Sequence, residues 1–334
     1  MPALVTAACR VLRDVLRESV VQDAYNGSFI LRHESLRMSL FGKIVMVAGL
    51  VVLVCGGLIA CSPLKALNAV TTTSTYQKTG DVAYGDNPRQ QLDIYVPQQS
   101  SAMPVPAAGR PVVVFFYGGS WNDGSRKDYV FVGEALSSRG FIVVVADYRV
   151  YPEVRYPEFV KDSAQAVAWT LQHIAQYGGD SRRVFVMGHS AGAYNAAMVA
   201  LDPRWLQAFG ASPQQLRGWI GLAGPYDFLP IVNPDVRPVF WYPDSPPDSQ
   251  PLSHVGESKL PALLIASHKD QLVDAVRNTG GLAQALRMHQ TPVEEVYFDN
   301  TTHATLVISL SRPLRQLAPT LDRVAAFVEN PPEK

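Results

Sequence analysis

Cysteine is nearly absent: three occur in 334 residues, at Cys9, Cys55 and Cys61, and none follows Cys61. A disulfide framework, a thiol nucleophile or a Cys-ligated zinc is therefore excluded beyond that point. Surplus charge of either sign is missing as well, with 29 Lys+Arg against 29 Asp+Glu. A chain without basic excess has no broad face to neutralise phosphates, which argues against a nucleic-acid partner. Charged residues reach only 17% while apolar ones reach 47%, a balance that excludes a disordered chain and supplies a sizeable core. No internal repeat is visible.

One long uncharged run stands out, Ile44 to Ala60. At 17 residues it falls short of the ~20 a transmembrane helix needs and suits the apolar region of a signal peptide. It closes on Leu58-Ile59-Ala60-Cys61, which resembles a bacterial lipobox: branched residues, a small residue, then the cysteine to be lipidated. The expected organisation is a leader over 1–37, a lipoprotein signal peptide or uncleaved anchor over 38–60, a polar tether over 61–80 and a catalytic domain over 81–330. Met38 offers an alternative start to Met1. Basic residues gather before the run, so the positive-inside rule places everything after Cys61 outside the cytoplasm. A membrane-anchored lipoprotein of the cell envelope follows, with Ser62 favouring an outer membrane where one exists.

Beyond the tether, strands and helices alternate. Leu92–Val96, Pro111–Phe116, Phe141–Ala146, Arg183–Met187, Trp219–Leu222, Ala262–Ala266 and Val293–Phe298 read as strands. Helices are expected over 128–138, along the Val160, Ala164, Val167, Leu171, Ile174 stripe, and over 314–328. Uninterrupted apolar strands between helices predict an α/β fold: a mostly parallel central sheet with helices on both faces. Asp227 to Lys259 interrupts the rhythm as a proline- and aromatic-rich insertion. It is short and stiff, so an accessible site is expected.

Chemistry concentrates in Gly188-His189-Ser190-Ala191-Gly192, between the strand RVFVM and a helix. That context is what a nucleophile elbow requires, and glycines fit where side chains would collide around a strained serine. A serine hydroxyl needs a base, and the base an orienting acid. After the strand PALLIA comes Asp270, with Asp274 as a second candidate four residues on. After VEEVYF comes His303, at the end of the last strand; the other histidines sit on helices, in the insertion, in the elbow or before the acid. The loop after PVVVFF reads Tyr117-Gly118-Gly119-Ser120-Trp121. Its amides at Gly118, Gly119 and Ser120, with that of Ala191, are candidates to hold a tetrahedral oxyanion.

These stretches, with ADYR (146–149), GGDSRRVFVMGHSAG (178–192) and ASHKDQLV (266–273), resemble α/β-hydrolases of the esterase/lipase group. The carboxylesterase, feruloyl-esterase-like and kynurenine-formamidase-like branches are the nearest in motif, over roughly residues 80–330. The resemblance implies a carboxylic ester hydrolase working through an acyl-enzyme, with Ser190 as nucleophile, His303 as base and Asp270 as acid. It implies no cofactor and no metal. The partners implied are a small-molecule ester, expected to be soluble and short-to-medium in its acyl chain, without interfacial activation, and a membrane reached through lipidated Cys61. Relatives usually carry His-Gly-Gly where this chain has Tyr117-Gly118-Gly119. Tyr117, Trp121 and Trp241 are candidates to line the substrate pocket. An amidase, formamidase or peptidase with the same residues is an alternative, as is a binding protein on the hydrolase scaffold.

Overall fold

The computed structural model describes residues 63–100 and 104–333. The leader, the apolar run, Cys61 and its neighbour Ser62 lie outside the described residues. Among those described, no helix is long and apolar enough to cross a membrane.

Eight strands form one sheet: β1 (Tyr76–Ala83), β2 (Gln91–Pro97), β3 (Arg110–Phe116), β4 (Ile142–Ala146), β5 (Gly179–His189), β6 (Leu216–Leu222), β7 (Ala262–Ser267) and β8 (Val293–Phe298). Their spatial order is β1-β2-β4-β3-β5-β6-β7-β8. β2 lies antiparallel to both β1 and β4, and every other pairing is parallel. Every residue of β3, β4 and β7 is buried. Since side chains alternate between the two faces of a strand, both faces must be covered, and parallel strands of this kind read as unbroken Val/Ile/Phe runs.

The covering helices are α2 (Val130–Ser137), α3 (Glu158–His173), α4 (Ala191–Leu201), α5 (Pro203–Gln207), α6 (Gly281–Met288), α7 (His303–Ile308) and α8 (Thr320–Glu329), after a short α1 (Pro63–Ala69). α3 and α4 pack on each other and on β5, whereas α8 packs on α2 and β7. Two differences from the sequence reading stand out. The stretch taken as a polar tether contains α1, whose Leu67 is buried, and most of β1. β1 is an edge strand exposed along almost its whole length, so it lacks the apolar run that marks its neighbours. The expected last helix is divided: a 3₁₀ segment, Arg312–Leu317, precedes α8, and Pro319 stands at the break.

Parallel strands send their C-terminal ends to one edge. The loops that follow β3, β5, β7 and β8 therefore meet there, and they carry Tyr117–Trp121, Ser190, Asp270 and His303.

Candidate active site

Ser190 caps the N-terminus of α4 at φ 54, ψ −122, a conformation that a residue with a side chain adopts only under constraint. The flanking glycines show the constraint. A Cβ on Gly188 would lie 2.1 Å from the Gly192 carbonyl, and one on Gly192 would lie 2.1 Å from the Phe116 carbonyl. No other residue fits either place, so the turn lifts the hydroxyl off the end of β5.

His303, at the start of α7, brings its ring between serine and acid. Its Nδ1 lies 2.7 Å from a carboxylate oxygen of Asp270, and its Nε2 lies 2.8 Å from Ser190 Oγ. A carboxylate only accepts, so Nδ1 carries the proton and Nε2 offers its lone pair to the serine hydroxyl. Asp270 is buried and its other oxygen accepts from the amides of Leu272 and Val273 at 2.8 and 2.9 Å. Burial on its own would raise this carboxyl, but His303 and the two amides outweigh it and hold it below the usual carboxylate range. Asp274 is otherwise engaged: its Oδ1 accepts from the amides of Val276 and Arg277, away from His303. His268 is exposed, stacked on Tyr297 and bonded to Asp299.

The loop after β3 runs beside the serine. A Cβ on Gly118 would come within 2.9 Å of Ser190 Cβ, which measures how closely the two backbones approach. Gly119 sits at φ 139, followed by Ser120 and Trp121 at φ 51 and 58. Among the described residues, no acceptor takes the amides of Gly119, Ser120 or Ala191. The Tyr129 hydroxyl beside this loop is pushed up to about 12 by burial. Gly118 lines the cavity together with Gly119 and Ser120.

Tyr117 is also corrected. It does not line the cavity but lies fully buried beneath the loop. Its hydroxyl donates to Asp147 at 2.7 Å and accepts from Arg89 Nη2 at 3.1 Å, and the same guanidinium group bonds the Gly124 carbonyl at 2.8 Å. Its ring stacks between Tyr129 and Tyr148, with centroids 5.6 and 4.9 Å away. Tyr148 in turn donates to the Tyr117 carbonyl at 2.8 Å. Tyrosine therefore anchors the loop by hydrogen bonding and stacking. Asp147 is the hub, bonded also to the backbone and side chain of Arg126. Asp147, Arg126 and Arg89 escaped the sequence reading; the signal was present in ADYR, where a buried acid directly follows β4.

A cavity of about 670 Å³ opens over Ser190 and His303. Trp121 and Phe228 form one wall, stacked at 5.9 Å, and Trp121 Nε1 is fixed by Asn195 Oδ1 at 3.0 Å. Trp241 is outside this cavity. It is half-exposed, with its Nε1 bonded to the Tyr156 carbonyl and Arg155 over its ring. The insertion buries Phe240 instead, packed edge-on to Trp121 at 4.8 Å, and that packing turns the next residue outward.

Comparison with known proteins agrees with this architecture. Residues 92–236 match the BD-FAE family model. The probable isoprenylcysteine alpha-carbonyl methylesterase ICMEL1 of Arabidopsis thaliana is 35% identical over 158 residues, 46% of this chain and 32% of that protein. The chain thus spans about a third of the plant methylesterases it matches. The probable carboxylic ester hydrolase LipM of Mycobacterium tuberculosis is 26% identical over 255 residues, 71% of this chain and 58% of that protein. Esterase B from Lactobacillus rhamnosis superposes with a TM-score of 0.67 at 19% identity, covering 84% of this chain and 96% of that one. In strand order and in these structural likenesses, the chain has the α/β-hydrolase fold.

Proposed function

We propose that the protein hydrolyses carboxylic esters through an acyl-enzyme. Ser190 Oγ attacks the ester carbonyl carbon while its proton passes to His303 Nε2. The resulting imidazolium is held in place and stabilised by ionised Asp270. The amides of Gly119, Ser120 and Ala191 receive the oxyanion. Collapse returns the proton from His303 to the departing alcohol, and a water activated by His303 then releases the acid. One observation carries this reading: three side chains from three loops make one hydrogen-bonded line, ending at a serine flanked by unused amides. Losing one such amide donor costs about 3–4 kcal/mol in related chemistry. Labelling by a fluorophosphonate tests the proposal. Wild-type protein should be modified at Ser190, and Ser190→Ala should lose both the label and ester turnover. A matched panel of ester and amide substrates separates an esterase from an amidase; unlabelled Ser190 in an otherwise folded protein would refute both.

The proposed setting is the cell envelope, with lipidated Cys61 attaching the catalytic domain to a membrane. Support comes from the lipobox-like sequence and the uncharged run before it. Cys61→Ser should abolish palmitate incorporation; palmitate-free wild-type protein would refute the anchor.

A further inference from the structure

Large apolar side chains are distributed unevenly over the surface. Val232 is 80% exposed and Leu272 is 78% exposed, and both line the mouth of the cavity over Ser190. Val276, 75% exposed, lies on the same loop as Leu272. Leu64, on α1, lines the cavity from another side. α1 sits close behind the apolar run, since only four residues lead from Ala60 to Leu64. An extended chain covers at most about 3.6 Å per residue, so four residues span no more than about 14 Å.

We infer that the mouth of the cavity docks on a lipid bilayer and takes its ester from there, a substrate with an apolar chain. The inference depends on the hydrolase reading for its chemistry and on the apolar segment for its placement. Val232 and Leu272 enter the interface and the ester slides between them to Ser190. The entrance also carries Asp123, Asp128, Asp227 and Asp274 against Arg277 alone, and Asp227 is already paired with that arginine. An acidic entrance selects a zwitterionic surface over an anionic one. This differs from the expectation of an accessible site suited to soluble esters, and the comparison of vesicle-borne with soluble ester distinguishes the two.

The test uses the full chain in phosphatidylcholine vesicles. A photoactivatable phosphatidylcholine should label the segments around Val232 and Leu272, and leave Met288 and Val105, exposed elsewhere, unlabelled. Equal labelling of all four would overturn the docking. In parallel, turnover is compared between 4-methylumbelliferyl oleate in the vesicles and soluble 4-nitrophenyl acetate. Val232→Ser combined with Leu272→Ser should lower the vesicle-to-soluble ratio at least fivefold; an unchanged ratio would overturn the substrate class. Replacing a third of the lipid with phosphatidylglycerol should not raise the ratio, and a rise would overturn the surface selectivity. Wild-type protein that turns over neither ester would sink the hydrolase reading, with labelling still deciding whether the mouth meets the bilayer.

Discussion

His189 offers a quantitative test of how the elbow is built. Its Nε2 lies 2.9 Å from the carbonyl of His303, so this nitrogen is the donor, and buried Nδ1 finds no partner among the described residues. Burial, then the charge that His303 can carry, push the imidazole down to about 3. An unfolded chain binds that proton near pH ~6.5, so below this value the unfolded state holds a proton the native state lacks. Stability is therefore complete above about pH 6.5 and declines as pH falls towards about 3. Between pH 7 and 5 the loss is about 2 kcal/mol for this one residue. The depressed carboxylates Asp93, Asp180 and Asp270 do not blur the window. They stabilise above the ordinary carboxylate range of about 4 and lose that contribution only below it. Urea unfolding at pH 7, 6 and 5 reads the effect directly. His189→Gln keeps a donor for the His303 carbonyl but cannot titrate, so its stability should fall about 2 kcal/mol less across this range. Parallel losses in the two proteins would show that a buried neutral imidazole is not what weakens the fold in mild acid.

Tyr117→Phe removes the hydroxyl from between Asp147 and Arg89; unfolding should become easier by about 1–3 kcal/mol and esterase kcat should drop, both measured against wild type. Gly119→Ala would put a Cβ 2.2 Å from the Asp123 carbonyl at φ 139. The loop must shift, and kcat should fall about 100- to 1000-fold with little change in KM, whereas unaltered kcat would place the oxyanion donors elsewhere. Asp270→Asn should retain the fold and fluorophosphonate accessibility yet lower kcat by about 10⁴, because His303 loses the acceptor that fixes its tautomer. Asp274→Asn, measured beside it, should lose far less.

Sequence pattern was most informative where burial is complete. β3 and β4 are unbroken apolar runs because both their faces are covered, and each loop bearing Ser190, Asp270 or His303 directly follows a run of that kind or the partly buried β8. The structure brings those three side chains within hydrogen-bonding distance. β1 was invisible because Tyr76–Ala83 is a polar edge held by its ladder with β2, and backbone pairing leaves no trace in side-chain pattern. The seat under the oxyanion loop was invisible for another reason. Arg89, Tyr117, Arg126 and Asp147 lie far apart in the chain and acquire meaning only through mutual contact. Trp241 was misplaced because an aromatic triplet does not reveal which ring turns inward; Phe240 does.

The tyrosine beneath the loop constrains how this sequence can change. A Cβ on Gly124 would come within 2.6 Å of the Tyr117 ring, and φ there is 111, so ring and backbone both require glycine. Putting histidine at 117 would vacate that space and strip Arg89 of one of its acceptors. Leaving tyrosine while enlarging residue 124 would force the ring into the loop. Positions 89, 117 and 124 are thus coupled, and the effects of exchanges among them should not add. A library that varies the three together should recover histidine-bearing survivors that single-site scanning of Tyr117 misses.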